Sequence, residues 1–224
     1  MATMAQLQSA IDRLLSHPLG PGNFNLVQVV EEKAYEAYVF GLCLEAVRTL
    51  GVVPTLVGIS SAPNPFVFRG GPGQIHSTNR NYGYAHFNLA GEEFEIHACV
   101  EFRGVAGMTH ELDVSLIKAA EANQCRMNPD DPASSCVIGA WECKFYDKSL
   151  DKGLARAFVG LLDDLGTNVR LEGFCSNAWH SQMPGFFQPK RRPYPHLRLT
   201  PLDTSSESRF VQTLAAELKK MAKL

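Results

Sequence analysis

No apolar run in this 224-residue chain approaches the roughly 18 to 20 residues that a membrane-spanning helix needs. The opening stretch MATMAQLQSAIDRLLSH has no basic segment followed by an apolar core, so no secretory signal is expected and the expected location is cytoplasmic. Cysteine is sparse: Cys43, Cys99, Cys125, Cys136, Cys143 and Cys175 are too scattered for a disulfide scaffold. No two of them have CxxC spacing, which excludes zinc ribbons and thioredoxin-type chemistry. Charge of one sign is lacking too. Lys plus Arg number 21 against 23 Asp plus Glu, a formal net charge of −2, which excludes a histone-like coat though not a local basic groove. There is no internal repeat. What the chain does have is apolar material, 45% hydrophobic against 20% charged, enough for a folded core over most of its length. That length suits one domain with appended elements.

Residues 1–26 read as an N-terminal helical arm and linker, with Leu7, Ile11, Leu14 and Leu15 on one side of the helix. Residues 27–202 read as the main domain, opened by a helix from Val27 to Leu50 that Gly51 stops. The apolar face of that helix holds Val29, Val30, Ala34, Ala37, Phe40, Gly41, Leu44 and Val47. Short strands are expected at 55–59 and 65–68, then a hairpin of 82–89 and 93–105 across Ala90-Gly91-Glu92. In its second strand Phe94, Ile96, Ala98, Val100 and Phe102 alternate with Glu95, His97, Cys99, Glu101 and Arg103, which predicts one buried and one polar face. Further strands are expected at 110–117, 137–147, 168–176 and 196–199, and a helix at 149–165 with Ser149 as its N-cap and Gly166 as its stop. Residues 118–136 read as an insertion loop, its polar stretch 118–135 being a loop or a short helix plus loop, and 203–224 as a C-terminal helix packed on the domain. This order predicts a mixed α/β fold around one sheet.

Charged residues fall where strands should be apolar. Asp113 lies between Leu112 and Val114, and Glu142 and Lys144 flank Cys143 in the run Trp141 to Phe145. Period-two geometry puts Glu142 and Lys144 on one side, about 6.5–7 Å apart, with Trp141, Cys143 and Phe145 packed on the other. An unpaired buried charge costs several kcal/mol, so these groups are expected to be paired, metal-bound or in a cleft. A Glu–Lys surface pair is the plain alternative; Asp113 on a second apolar strand tells against it.

These residues, in this order of elements, resemble the PD-(D/E)XK, or restriction-endonuclease-like, nuclease superfamily. The resemblance covers about residues 27–176. It implies an αβββαβ core with a central mixed sheet flanked by helices, with Asp113 closing the second core strand and Glu142-Cys143-Lys144 as Glu-x-Lys on the third. The stretch YEAYVFGLCLEAVRTLG is similar to the family's leading helix, which places its acid on Glu36. The helical wheel agrees, since Glu36 lies about 80° from the centre of the apolar face, whereas Glu31 and Glu32 point to solvent. The 28 residues between Asp113 and Glu142 exceed the family's usual hairpin, and Glu111, on the same strand face, is the alternative to Asp113.

The resemblance implies a Mg²⁺-dependent nuclease, with Mn²⁺ as a substitute, cutting DNA internally; RNA is a second possible substrate. Asp113, Glu142 and the Cys143 carbonyl would hold the metal, since Mg²⁺ prefers hard oxygen ligands. Lys144 would orient the attacking water and offset charge on the phosphate. Glu36 would hold a second metal or position water. One metal or two stays open. Lys190, Arg191 and Arg192, beside Tyr194 in a proline-stiffened loop, suit phosphate contact and stacking, or form a solvated loop. Arg69, Arg80 and Arg103 could contact phosphates, although each reads first as a solvated surface arginine, and His110 reads as a hydrogen-bonded structural histidine. Trp179 and His180 read as core. Without a separate recognition domain, the chain is expected to act as a cleavage subunit, in a homo-oligomer or beside a partner protein, for example in phage defence or restriction. The alternatives are a non-catalytic nucleic-acid-binding or assembly subunit and, less favoured, a cysteine-dependent hydrolase.

Overall fold

A computed structural model describes residues 1–20, 22–188 and 194–223. Along the chain come α1 (Met4–Leu19), β1 (Phe24–Leu26), α2 (Glu31–Thr49), β2 (Thr55–Gly58), β3 (Phe66–Phe68), β4 (Gly83–Leu89), β5 (Glu92–Arg103), β6 (Thr109–Lys118), α3 (Ala119–Met127), β7 (Val137–Lys144), α4 (Lys152–Leu165), β8 (Leu171–Ser176), α5 (Met183–Phe187), β9 (Tyr194–Leu197) and α6 (Thr204–Ala222). The fold is α/β. Seven strands form one mixed sheet in the order β2-β4-β5-β6-β7-β8-β9, and β1 and β3 make a separate parallel pair. From β2 to β7 neighbours run antiparallel; β7–β8 and β8–β9 are parallel, the first joined by the α4 crossover. Apolar residues of α1, α2 and α6 cover one face, and those of α3, α4 and α5 cover the other. Among the described residues no helix is long and apolar enough to cross a membrane.

Local chemistry sets most boundaries. Ala90 and Gly91 both have positive φ, 53° and 86°, the geometry of a tight hairpin turn. Glu92 therefore pairs with Leu89 inside the ladder instead of belonging to the turn. The N-cap of α4 is Asp151, whose carboxylate accepts the Gly153 N–H, not Ser149; Gly166 ends the helix at φ 82° as expected.

The leading helix starts later than the apolar pattern suggests. Val30 is extended at the N-cap of α2, and Val29 and Val30 are exposed. Beyond them α2 is buried almost all round from Ala34 to Val47, because α1 and α6 cover its outer side. A Cβ on Gly41 would lie 2.9 Å from Leu14 Cβ, so the bare backbone there lets α1 pack close. Glu207 of α6 ties the three helices together, accepting from Tyr38 Oη at 3.0 Å and from Arg13 at 2.7 Å.

Two expectations about the sheet are corrected. Strand β5 has no polar face, since Glu95, His97 and Cys99 are buried along with their apolar neighbours. Its alternation also breaks: Phe94, Ile96 and Ala98 pack in the α1/α2/α6 layer, whereas Val100 and Phe102 pack in the α4 layer. Cys99, at φ 53° within the strand, is where the phase changes. The 118–136 segment is the short helix plus loop of its two readings. Its helix α3 is fastened to β5 by Arg126, which grips Glu95 through two hydrogen bonds of 2.6 and 2.8 Å.

Candidate functional site

Strands β6 and β7 pair only as far as Val114 with Trp141. The next residues, Asp113 and Glu142, fall where the two strands part. Asp113 turns its carboxylate into the gap and accepts the Cys143 N–H at 2.7 Å, taking the place of a ladder bond. Lys144 Nζ lies 2.6 Å from Glu142 Oε1 and 3.4 Å from Asp113 Oδ2. Those two oxygens are therefore within about 6 Å of each other, while two Mg²⁺ bonds of about 2.1 Å span about 4 Å. Ser176 on β8 donates to the Lys144 carbonyl at 2.7 Å and pins the carboxyl end of β7. Trp141, Cys143 and Phe145 pack into the α2/α6 layer, as the strand period predicts.

A second group adjoins the first from the α2 side. Glu36, 6% exposed, accepts from Lys33 at 2.9 Å through both oxygens and from the Cys99 thiol at 2.8 Å. Lys33 also lies 3.6 Å from Glu111 Oε1. That oxygen is buried and has no hydrogen-bond partner among the described residues. Cys99 faces Asp113 across the β5–β6 ladder, between the pairs Ala98–Val114 and Val100–Leu112. The break in β5 thus sits at the level where both strands turn their chemistry toward α2.

The two groups are joined electrostatically through Asp113. Burial pushes the pKa of Glu36 up to about 7, and the Asp113 charge adds to that against the pull of Lys33. Glu142 is likewise pushed up to about 7, by burial first and Asp113 second, against Lys144. Glu111 is raised by burial and by Asp113, with Lys33 opposing. Burial works against the charged form of both lysines. The Cys99 sulfur, Glu36 and Glu111 still raise Lys33, and Asp113 and Glu142 still raise Lys144. Four carboxylates thus share two ammonium groups, an excess of two negative charges when all are ionised.

Among the described residues no three His, Cys, Asp or Glu side chains close on one point as metal ligands do. The lysines stand between them. The donors are otherwise those of a hard cation: carboxylate oxygens, among them Glu111 Oε1, which has an ion pair with Lys33 but no hydrogen bond among the described residues, and the Cys143 carbonyl. The larger cavities lie away from this cluster. One of about 450 Å³ sits at the opposite end of β7, among Phe94, Lys118, Val137 and Arg170. It has no comparable group of acids, so the charge cluster is the better candidate.

Other expected residues fare differently. Arg103 is exposed at the end of β5 and held by both oxygens of Asp130, at 3.0 and 3.1 Å, so its charge is already matched. Lys190, Arg191 and Arg192 lie outside the described residues. Arg80 is exposed. Arg69, by contrast, is buried. Trp179 is 44% exposed rather than core, with Arg198 stacked on its ring. His110 is fixed by Asp164. The sequence reading missed Lys33, Cys99 and Ser176. Lys33 was findable, since it sits one turn before Glu36 on the same helix face; Cys99 needed the β5–β6 register. No family model, no curated protein and no solved structure matches the chain.

Proposed function

We propose that this chain is a Mg²⁺-dependent nuclease that hydrolyses phosphodiester bonds in DNA, built on a restriction-endonuclease-like core. The carrying observation is the meeting of Asp113 with Glu142 and Lys144 where β6 and β7 part, at the carboxyl end of β7. The succession α2, β5, β6, β7, α4, β8, with antiparallel β5–β6–β7 and parallel β7–β8, fits the αβββαβ order. The location suits open α/β sheets, whose ligands bind beyond the carboxyl ends of parallel strands.

Asp113, Glu142 and the Cys143 carbonyl would hold Mg²⁺, which when bound polarises a phosphoryl oxygen and lowers the pKa of water. Asp113 also accepts the Cys143 N–H, which fixes the Glu142–Cys143 peptide beside it. Lys144 brings a half-buried positive charge to the place where charge grows on the phosphate, and its three N–H donors allow it to orient water. Glu36, with its pKa near 7, suits taking up a proton at neutral pH.

Plasmid cleavage with Mg²⁺, with and without chelator, tests the reading: wild type should nick or linearise DNA and Glu142→Gln should not. A second reading, a non-catalytic nucleic-acid-binding or assembly subunit, draws on the ion pairs by which Lys33 and Lys144 already engage these acids. It expects DNA binding that is indifferent to Mg²⁺ and Mn²⁺, with no cleavage.

A further inference from the structure

Arg69 follows directly on β3 and opens the run Arg69-Gly70-Gly71-Pro72-Gly73. The run crosses to β5, where Gly73 bridges to Val100 and its carbonyl accepts the Glu101 N–H at 3.1 Å. It therefore reaches β5 one residue from Cys99, the partner of Glu36. The Arg69 side chain folds back over its own loop. Its guanidinium carbon lies 4.1 Å from the centre of the Tyr82 ring, and a Cβ on Gly73 would stand 2.7 Å from Nη1. Glycine at 73 is thus what leaves room for the guanidinium.

The residue is 7% exposed, yet among the described residues it makes no hydrogen bond and no ion pair; the Tyr82 ring is its one specific contact. That is an unusual state for a guanidinium. Its five N–H donors cannot be silenced by deprotonation, because arginine keeps its charge in protein interiors. Burial works against its charge while Tyr82, Cys99 and Glu101 favour it, and none of its nitrogens is among the sealed side-chain atoms that lack a partner, so the fork keeps an edge at which an anion can dock. A planar fork selects oxyanions with two acceptors, of which a phosphate diester is the one this site would meet.

We propose that Arg69 is a substrate-binding residue that grips a backbone phosphate of the nucleic acid beside the scissile bond, a reading that rests on the nuclease assignment above. The Gly-rich loop and the Tyr82 ring hold the fork ready, and the neighbouring carboxylates with their cation take the phosphate to be cut. The other source of the same chemistry is a free nucleotide or inorganic phosphate.

The test is fluorescence anisotropy of a labelled 20-bp DNA duplex in Ca²⁺, over a salt series, with inorganic phosphate and dAMP as competitors, alongside plasmid cleavage in Mg²⁺. Arg69→Gln should weaken duplex binding about tenfold or more and lower the log–log salt slope by about 0.9. Arg69→Lys should keep the slope and lose affinity about three- to tenfold, since an ammonium supplies the charge without the fork. Millimolar phosphate or dAMP should displace little duplex. Wild-type affinity and slope in Arg69→Gln, while wild type cleaves, would overturn the proposal and leave the nuclease reading standing. Should Arg69→Gln not fold, wild-type affinity in Arg69→Lys overturns it equally. Strong displacement of duplex by phosphate or dAMP in wild type only, lost in the variants, would assign Arg69 to a free anion instead. A wild-type protein that neither binds nor cuts DNA removes both readings.

Discussion

Two clusters of charge, one on β5 and one on β6 and β7, are built to opposite rules. In the first, Glu95, His97 and Arg126 meet between β5 and α3. Arg126 grips both Glu95 oxygens, His97 bonds the second at 2.8 Å, and Tyr84 stacks on His97 and lies beneath the guanidinium. Burial works against the Glu95 charge, yet the His97 and Arg126 bonds hold its pKa below the ordinary value. In the second, Glu36, Glu111, Asp113 and Glu142 share Lys33 and Lys144, and burial with mutual repulsion pushes Glu36 and Glu142 up to about 7. A matched cluster lowers its carboxylate; an overfilled one raises it. Burial is common to both, so it is the charge balance that separates a fastening from a site poised for a cation.

The sharpest way to break this contrast is to remove one member from each cluster. Glu142→Ala should reduce plasmid cleavage by more than about 10³-fold and weaken metal binding in a calorimetric titration, because a ligand is lost. Lys144→Ala should leave metal affinity similar or higher while cleavage falls about 10²–10³-fold, since a cationic amine supports the reaction without binding the metal. Both variants should remain folded by circular dichroism. Arg126→Ala should do the reverse, costing about 3–5 kcal/mol of stability in urea unfolding by leaving Glu95 buried and unmatched. Equal destabilisation by Glu142→Ala and Arg126→Ala would make the first group a structural ion-pair network too.

pH separates the clusters next. For Glu142 the folded pKa, about 7, lies above the ordinary 4.5, so the fold holds the proton more tightly than the unfolded chain does. Metal-free stability should therefore fall as pH rises from about 4.5 to about 7 and stay level above. Glu142→Gln should shrink that decline, leaving the share that Glu36 contributes, and gain about 1–3 kcal/mol at pH 8. Urea midpoints for the two proteins that stay parallel from pH 5 to pH 8 would contradict the shift.

The smallest effect has the opposite sign. Burial, with Arg209 adding to it, pushes His196 down to about 3, so the unfolded chain takes up the proton first and stability is lost as pH falls from about 6.5 toward 3. His196 packs on Phe210, with ring centres 4.6 Å apart. His196→Phe keeps that packing and should flatten the acid limb by about 1–2 kcal/mol at pH 5. An acid limb unchanged in this variant would place the lost stability elsewhere.

Much of the fold was legible because apolar periodicity and turn chemistry are local. The α1 face of Leu7, Ile11, Leu14 and Leu15, the hairpin around Ala90-Gly91, β7 as a central strand and the Gly166 stop all follow from neighbours in sequence. Of the candidate site, Asp113, Glu142 and Lys144 stood out as charges on apolar strands, and Glu36 came from the likeness of its helix to the leading helix of a nuclease family, with the helical wheel agreeing. Less could be read where one residue's geometry changes what its neighbours do. The positive φ of Cys99 moves Val100 and Phe102 to the other face, which no alternation rule anticipates. The four-residue delay of α2 comes from the extended backbone at Val30.

By itself the sequence determined most of the helix and strand segments, and that Asp113, Glu142 and Lys144 are charges set on apolar strands, since both depend on residues within a few positions. Only the tertiary structure decided what those charges meet. Glu95 looked like one more polar residue on an outer face, and Arg126 like part of a loop, until α3 folded onto β5 and matched them. Asp113 could take the Cys143 N–H only once β6 and β7 parted beyond Val114 and Trp141. Arg69 became a largely buried cation, with no hydrogen bond or ion pair among the described residues, only when its loop closed over Tyr82. Charge balance is a property of what surrounds a group in three dimensions, and residues from distant parts of the chain supply those surroundings.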